Sequence, residues 1–234
     1  MPDVILAGGS GGLGSETARL LAGGDFRLIV SYRQNAERAS ALKDVATLVQ
    51  ADLTVAADRR RLLDAAEDLY GLVVFTGDPS RVSNPSLIEA AMRQSHDVNY
   101  LGPMLLAREA ADQMKAKGTP GAIVLFSTMQ AVALFPGSTA YGAPKAALLH
   151  GAKILAKECR GPANIRVNVI CPGVNAAGMA EASIASGKYE RYIKDGVIPR
   201  YGKALDVARA VRFFLEPDNY ITGQVLTIDG GLTL

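Results

Sequence analysis

Short apolar runs alternate with segments of helical length along almost the whole chain. The runs are rich in valine, isoleucine and leucine, and they lack the strict apolar–polar alternation of a half-exposed strand. Such runs are typical of strands covered on both faces, as in a parallel sheet between layers of helices. The predicted strands are residues 4–7, 27–31, 45–50, 72–75, 122–126, 165–170 and 225–228, and the predicted helices are residues 13–23, 35–43, 55–68, 86–117, 139–160 and 204–215.

This alternation predicts an open, doubly wound α/β sheet, mainly parallel and seven-stranded, with helices on both faces. The length of 234 residues suits one domain, so we expect a single domain over residues 1–234. One long interval, from Pro172 to Lys203, has no predicted strand. Intervals of that length in a compact domain are usually functional, so residues 175–203 are predicted to form a lid over the site.

The composition argues against several classes of function. The 25 basic and 23 acidic side chains give a net charge of +2 without a block of like charge, so we expect no nucleic acid and no membrane as a partner. No apolar run approaches the ~20 residues of a membrane span, and the first residues lack a signal-peptide pattern. Two isolated cysteines, Cys159 and Cys171, suggest reduced thiols in a cytoplasmic protein. His96 and His150 are the only histidines and have no metal-ligand spacing, so no metal site is predicted.

A glycine-rich turn follows the first predicted strand and leads directly into the first predicted helix. Glycine permits positive φ and a close approach of the backbone to a diphosphate, and the N–H groups at the helix start face the anion. A lone glycine motif is weak evidence, but the first βα turn is the context that a dinucleotide site requires. The sequence therefore predicts a Rossmann-like fold in which the cofactor contacts Gly8, Ser10, Gly11, Gly12, Leu13 and Gly14.

The residues after the second predicted strand bear on the choice of cofactor. An acidic residue in that place binds the ribose of NAD, but this chain reads Ser31-Tyr32-Arg33 without one. An arginine can hold a 2′-phosphate through paired hydrogen bonds. Arg33, with Ser31 as a further candidate, therefore predicts NADP(H) rather than NAD(H); the alternative is that Arg33 is a solvated surface residue.

Tyr141 and Lys145 open the helix after the fifth predicted strand and share one helix face because they are four residues apart. A free phenol has a pKa of about 10, so acid–base chemistry near neutral pH needs a shift of roughly 3 units. An ammonium ~4 Å away, in a medium of effective dielectric constant ~20, supplies about that much. The spacing alone is weak evidence, since many surface helices carry it. Ser127 and Thr128 precede this helix and add hydroxyl groups, although such a pair is more often a turn or a cap.

In their order and spacing, these motifs resemble those of the short-chain dehydrogenase/reductase family, in its single-domain branch, over essentially the whole chain. The resemblance implies hydride transfer between a nicotinamide cofactor and a carbonyl or alcohol. It assigns proton transfer to Tyr141 and places Lys145 beside the nicotinamide ribose. Thr128 stands at the position of the family's catalytic serine and is expected to orient substrate, with Ser127 as the weaker candidate. Asn99 matches an asparagine that holds a water between the active-site lysine and solvent.

The same resemblance implies further contacts with the cofactor. Asp52 and Leu53 match the pair that contacts the adenine. Residues 168–173 match the family's Asn-x-x-x-Pro-Gly segment, and residues 221–231 match its C-terminal signature. The other cofactor contacts expected from the resemblance are Gly77, Pro172, Gly173 and the backbone of Val174.

Four places depart from the family's pattern. Ala7 replaces the usual threonine before the first glycine, and Thr128 keeps a hydroxyl but adds a methyl group that stiffens χ1. Residues 74–77 stand where the family usually has Asn-Asn-Ala-Gly. The side chain that braces the sheet in the family is therefore missing, and Thr76 is expected to compensate for it in part. Ala177 stands where a threonine often binds the carboxamide of the nicotinamide.

Three hypotheses about function follow. The first is an NADP(H)-dependent ketoreductase that resembles 3-oxoacyl-[acyl-carrier-protein] reductases and acts on a small-molecule substrate. Only Lys115 and Lys117 suggest a basic patch for an acidic carrier protein, so no substrate is assigned. The second is an NAD-dependent alcohol or sugar dehydrogenase. The third is a catalytically weak, cofactor-binding regulatory or scaffold protein, which the departures favour and the presence of Tyr141 and Lys145 opposes.

Two segments bear on substrate and assembly. The apolar run 129–136 either lines a substrate pocket or packs its own loop, and the lid carries Lys188, Arg191 and Lys194 among apolar residues. An acidic substrate is one interpretation of those charges, although charges on a lid are more often solvated. The family resemblance implies that helices 86–117 and 139–160 pair between subunits of a homodimer or homotetramer.

Overall fold

The computed structural model describes residues 1–81 and 84–234, and within them seven strands form one parallel sheet. The strands are β1 (Asp3–Ala7), β2 (Arg27–Tyr32), β3 (Thr47–Gln50), β4 (Leu69–Val74), β5 (Gly121–Phe126), β6 (Ile165–Pro172) and β7 (Val225–Ile228). Their order across the sheet is β3-β2-β1-β4-β5-β6-β7. The predicted Rossmann-like, doubly wound fold class is therefore confirmed.

Helices cover both faces of the sheet. No helix in the described ranges has the length and apolar character that crossing a membrane requires. The helices are α1 (Gly12–Leu21), α2 (Ala36–Ser40), α3 (Ala56–Asp64), α4 (Ile88–His96), α5 (Gly102–Lys117), α6 (Thr139–Glu158), α7 (Glu181–Ala185), α8 (Glu190–Lys194) and α9 (Ala204–Leu215).

Successive residues of a strand enter two different apolar clusters, one on each face of the sheet. In β1, Ile5 belongs to one cluster, and Val4 and Leu6 belong to the other. All three side chains have no solvent exposure. Each such side chain contributes about 1.5–3 kcal/mol when fully buried. Burial on both faces explains why the strands read as continuous apolar runs rather than as an alternating pattern.

The single helix predicted over residues 86–117 is wrong in one respect. A π-helical turn at Asp97–Leu101 separates α4 from α5. Pro103 has no N–H to donate to the preceding turn, and Gly102 donates instead to the carbonyl of Asp97, five residues earlier. A Cβ on Gly102 would lie 2.8 Å from the carbonyl oxygen of Leu53, so the helix turns closely against the connection after β3. Turns of this kind are frequent at functional sites.

The interval after β6, which is the predicted lid, has a fixed base. It contains the short helices α7 and α8, and an isolated bridge joins Asn175 to Gly202. The N–H of Gly202 donates to Val174 at 2.9 Å, and the N–H of Ala176 donates to Gly202 at 2.8 Å. A Cβ on Gly202 would overlap the side-chain oxygen of Asn175, so glycine allows the two ends of the lid to meet.

Candidate active site

A cavity of about 1590 Å³ opens at the carboxyl ends of the strands. It spans the point between β1 and β4 where the strand order reverses, which is where open α/β sheets bind their ligands. Of the predicted site residues, Asn99 and the further candidate Ser31 are missing from its wall. The wall includes Gly8, Ser10, Gly11, Gly12, Leu13, Gly14, Arg33, Asp52, Leu53, Gly77, Thr128, Tyr141, Lys145, Pro172, Gly173 and Val174.

The turn between β1 and α1 brings backbone close to backbone at its glycines. Gly8 has a φ of +71°, which favours glycine, and a Cβ there would lie 2.8 Å from the methyl carbon of Thr76. A Cβ on Gly12, the first residue of α1, would lie 2.6 Å from the backbone nitrogen of Gly178 in the lid. No side chain in the described part of the chain caps the start of α1. Its first N–H groups are therefore open to an anion, and the turn fits a cofactor diphosphate.

We expect Gly8→Ala to lower the free energy of unfolding by about 1–3 kcal/mol, because alanine would be strained at this φ and would press on Thr76. Gly11→Ala is the matched control, since Gly11 has a φ of −73° and its Cβ would meet only the Gly8 carbonyl oxygen, at 3.5 Å. Urea unfolding followed by circular dichroism measures both. Equal destabilisation by the two substitutions would contradict this account of the turn.

Two arginines line the cavity beyond β2. Arg33 follows the strand, and Arg38 lies in α2, where its N–H donates to the side chain of Asn35 at 2.7 Å. Both arginine side chains are exposed, and neither forms an ion pair within the described residues. Ser31 is buried instead, and its hydroxyl oxygen accepts the N–H of Gly8 at 2.9 Å. Ser31 therefore joins β2 to the glycine-rich turn after β1. The side chain that accompanies Arg33 on this part of the cavity wall is Arg38 rather than Ser31.

Lys145 is almost fully buried, with 2% of its surface exposed. Its ammonium donates to the carbonyl oxygens of Thr76 at 3.0 Å and Phe126 at 2.8 Å. These two carbonyls lie just beyond β4 and at the end of β5, which are neighbouring strands. Lys145 thus holds α6 against the carboxyl ends of β4 and β5. Tyr141 lies one helical turn earlier and lines the same cavity.

The expectation that Lys145 lowers the pKa of Tyr141 is wrong when only the groups of the protein itself act on that pKa. Burial raises the pKa of Tyr141 to about 12; a hydrogen bond with Thr128 opposes the rise, and the nearby Tyr189 and Asp78 add to it. Burial also lowers the pKa of Lys145 to about 7. The lysine is therefore only partly charged at neutral pH, and two backbone carbonyls hold its ammonium, so burial outweighs the predicted effect of the four-residue spacing.

The two hydroxyl groups after β5 have different partners. Ser127 donates to the backbone carbonyl of Lys145 at 2.8 Å, which ties β5 to α6. Thr128 accepts a long hydrogen bond of 3.4 Å from the N–H of Gln130, and its hydroxyl lies within hydrogen-bonding reach of the Tyr141 phenol. The geometry therefore favours Thr128 over Ser127 as the hydroxyl that a substrate oxygen would meet.

Asn99 is fully buried and lies behind the cavity wall. Its side-chain nitrogen donates to the carbonyl of Asp78 and to the hydroxyl of Ser95, both at 2.9 Å, and its oxygen accepts the N–H of Asp78 at 3.0 Å. Ser95 in turn donates to the carbonyl of Ala140. That carbonyl lacks its usual helical donor because Pro144, four residues later, has no N–H. The Asn99 side chain is thus joined through Ser95 to the start of α6, the helix that carries Tyr141 and Lys145.

The expectation that Thr76 partly replaces the missing polar brace is also wrong. Its hydroxyl oxygen is buried without a hydrogen-bond partner in the described residues. Phe75 packs against Phe126 instead, with ring centroids 4.5 Å apart. An apolar contact therefore joins the ends of β4 and β5. The resemblance implied a polar side-chain brace at this place.

Sequence reasoning missed three charged residues of the cavity wall, namely Arg38, Asp78 and Arg81. They lie in α2 and in the connection after β4, outside any motif. The rule that ligands bind beyond the strand ends directs attention to these connections, but it does not say which side chains turn inward. In the described ranges, no group of three or more His, Cys, Asp and Glu side chains could hold a metal ion.

Comparison with known proteins places this geometry in a family context. The family model described as Enoyl-(Acyl carrier protein) reductase matches residues 7–233. The rat protein named 3-oxoacyl-[acyl-carrier-protein] reductase is 34% identical over 236 residues, an alignment that covers 97% of this chain and 96% of the rat protein.

Two solved structures are similar over nearly their full length. A short-chain type dehydrogenase/reductase from Mycobacterium ulcerans has a TM-score of 0.90 and 26% identity, covering 99% of this chain and 90% of that one. The NADPH-dependent 3-quinuclidinone reductase from Rhodotorula rubra has a TM-score of 0.80 and 26% identity, covering 99% and 91%. The order of strands, the glycine turn and the Tyr141–Lys145 helix are therefore parts of one shared architecture.

Proposed function

Since the chain belongs to the short-chain dehydrogenase/reductase family, whose members are nicotinamide-dependent oxidoreductases acting on carbonyl and hydroxyl groups, we propose that it is an NADP(H)-dependent ketoreductase. The observation that carries the proposal is the meeting of a phenol, an aliphatic hydroxyl and a buried lysine on one wall of the cavity: Tyr141, Thr128 and Lys145.

The cofactor would lie along the cavity from the α2 side to α6. The open N–H groups of the first turn of α1 would hold its diphosphate, and Asp52 and Leu53 would border the adenine. Lys145 uses two of its three N–H donors on backbone carbonyls, which leaves the third for a ribose hydroxyl. Pro172, Gly173 and the backbone of Val174 would border the nicotinamide, which supplies or accepts the hydride when bound.

The protein's own groups suit carbonyl reduction. With its pKa raised to about 12, the Tyr141 phenol stays protonated near neutral pH and can give a proton to the carbonyl oxygen of a substrate. The hydroxyl hydrogen of Thr128 can orient the same oxygen. Asn99 and Ser127 hold the connections that carry these groups, because their side-chain bonds fix the start and the first turns of α6.

The preference for NADP(H) rests on Arg33 and Arg38. We expect Arg33→Ala to raise the dissociation constant for NADPH about tenfold or more while leaving that for NADH nearly unchanged, because an arginine–phosphate hydrogen bond exists only with the 2′-phosphate. Fluorescence titration measures both constants. Arg209→Ala, an exposed arginine of α9, is the control for loss of one positive charge. If NADH binds more tightly than NADPH to the unmodified protein, the NAD-dependent dehydrogenase is the better account.

A panel of ketones and aldehydes with NADPH, followed by cofactor absorbance, tests the catalytic proposal itself. Oxidation of NADPH that depends on both substrate and Tyr141 is the expected result. Tight NADPH binding without oxidation across the whole panel would favour a regulatory or scaffold protein.

The proposal extends to a homodimer or homotetramer in the cytoplasm. Exposed apolar side chains on the outer faces of the helices support assembly, among them Met92 of α4 and Ile154 of α6, which are 45% and 48% exposed. Cys159 and Cys171 are both free thiols, which fits a reducing compartment. Sedimentation equilibrium would measure the assembly, and a monomer at micromolar concentration would contradict it.

A further inference from the structure

The part of the cavity wall formed by the lid and the connection after β4 carries an excess of positive charge. Arg81 follows β4, and Lys188 and Arg191 belong to the lid; all three line the cavity. Asp78 is the carboxylate that lines the same part, while Asp52 lies beyond β3 at the opposite edge of the sheet. Three cations and one carboxylate therefore line this part of the cavity wall.

The carboxylates of the lid are directed elsewhere. Glu181 accepts the N–H of Gly178 at 2.7 Å, and Glu190 pairs with Lys194 at 3.1 Å. Neither glutamate lines the cavity, and neither does Asp195, the acidic neighbour of Arg191. Within the described residues, Arg81, Lys188 and Arg191 form no ion pair. The cavity-lining cations are thus left without a carboxylate partner.

Contacts within the lid hold these cations in place. Arg81 donates to the carbonyl of Met179 at 2.9 Å and to the hydroxyl of Ser183 at 3.0 Å. Ser183 also accepts the backbone N–H of Lys188 at 3.1 Å, so Arg81 and Lys188 meet at one buried residue. Arg81 thereby joins the connection after β4 to the lid.

Two tyrosines of the lid extend this arrangement to Arg191. The ammonium of Lys188 lies 5.4 Å from the ring centroid of Tyr189, and the guanidinium of Arg191 lies 5.1 Å from that of Tyr192. The two rings stack with centroids 6.3 Å apart. Side chains held against rings lose less rotamer freedom on binding an anion than free surface lysines and arginines do.

We propose that the substrate carries, besides its reacting carbonyl, an oxyanion group that Arg81, Lys188 and Arg191 bind. The inference rests on the proposed ketoreductase function and specifies its substrate class. Leu134, Phe135 and Met179 line the wall as well and supply an apolar surface. The substrate that fits is therefore a ketone with an apolar body and a carboxylate or phosphate at the end remote from the carbonyl.

Matched ketones test this substrate class. A homologous series of keto acids, their methyl esters and keto-alkyl phosphates of the same chain lengths would be reduced with NADPH. We expect kcat/KM for at least one charged form to exceed that of its neutral ester about tenfold or more, with the preference falling as salt is added. The acid and phosphate arms distinguish the two sources of the oxyanion.

The double variant Lys188→Gln/Arg191→Gln should remove this preference by weakening the charged substrates while leaving the esters nearly unchanged. Lys194→Gln is the matched control, because it removes a lid cation that pairs with Glu190 away from the cavity. Unchanged circular dichroism and NADPH affinity would show that the double variant is folded. Reduction of esters and charged ketones at equal rates would overturn the inference while leaving the ketoreductase proposal in place.

A second readout does not depend on turnover. Calorimetric titration of the same keto acids and phosphates into the NADPH-loaded protein should give a dissociation constant that the double variant raises about tenfold or more. Equal binding of the charged forms and their esters across the series would overturn the inference. Preferential binding of an anion without any NADPH oxidation would support the inference and count against the proposed catalysis.

Discussion

Replacing Tyr141 by phenylalanine is expected to lower kcat for carbonyl reduction by a factor of ~100 or more, with the dissociation constant for NADPH nearly unchanged. The phenol lies on the cavity wall, and its pKa of about 12 keeps it protonated at neutral pH. Phenylalanine keeps the ring and its packing but has no proton to give. Single-turnover absorbance measurements with saturating NADPH would report the chemical step directly.

Tyr220→Phe is the control for that experiment, because Tyr220 is fully exposed and lies outside the cavity wall. This substitution removes a phenolic oxygen from the protein surface and should leave kcat unchanged. If Tyr141→Phe retained full activity with an intact NADPH affinity, Tyr141 would have no part in the proton transfer. The proton donor would then have to be sought among the other groups of the cavity wall.

Replacing Lys145 by methionine is expected to have an equally large effect, lowering kcat/KM by a factor of ~100 or more. The ammonium joins the carbonyls of Thr76 and Phe126 and is the group proposed to hold the nicotinamide ribose. Methionine fills similar space but leaves both carbonyls without their donor, at a cost of about 1–3 kcal/mol for each. Activity assays and NADPH titration would separate the loss of catalysis from the loss of cofactor affinity.

The same variant has a predicted signature in the pH dependence of stability. Burial lowers the pKa of Lys145 from 10.5 to about 7 in the folded protein. Between these values the unfolded chain binds one more proton than the folded protein does at this position. The free energy of unfolding therefore gains up to ~1.4 kcal/mol per pH unit from this residue as the pH rises from about 7 towards 10.5. Below pH 7 both states are protonated, and the penalty of burying the charge is fully present.

Lys145→Met should remove this rise, and Lys157→Met, an exposed lysine of the same helix, should keep it. Urea unfolding at a series of pH values, without nucleotide, provides the comparison. Parallel curves for the unmodified protein and Lys145→Met would show that Lys145 titrates at its ordinary pKa. Such a result would contradict the burial described here.

Much of the fold follows from local patterns in the sequence. The predicted strand at 122–126 corresponds to β5 (Gly121–Phe126), and the alternation of strand and helix predicts the parallel, doubly wound sheet that the structure shows. The interruption of the helix at Asp97–Leu101 was missed, although Gly102 and Pro103 mark it. Helical periodicity alone does not reveal a π-turn, because this turn lies where Gly102 closely approaches Leu53, a residue distant in sequence.

The candidate site divides in the same way. The glycine turn, Arg33 and the Tyr141–Lys145 pair could be proposed from the sequence because each depends on residue type and short spacing, and all of them lie on the cavity wall. Arg81 could not, since its importance arises from a hydrogen bond to Ser183, about one hundred positions later in the chain. The pKa of Tyr141 was also out of reach, because it depends on burial by several elements rather than on the position of one lysine.

By itself, the order of residues predicted a doubly wound sheet, a glycine-rich turn after its first strand and the Tyr141–Lys145 pair on one helix face, because all three are encoded in contacts between near neighbours in sequence. The tertiary structure alone decided that Lys145 binds two strand-end carbonyls, that the Asn99 side chain is joined through Ser95 to the start of α6, and that Arg81, Lys188 and Arg191 line one cavity. Those features arise where segments far apart in the chain meet, and their energies depend on how completely each group is removed from water.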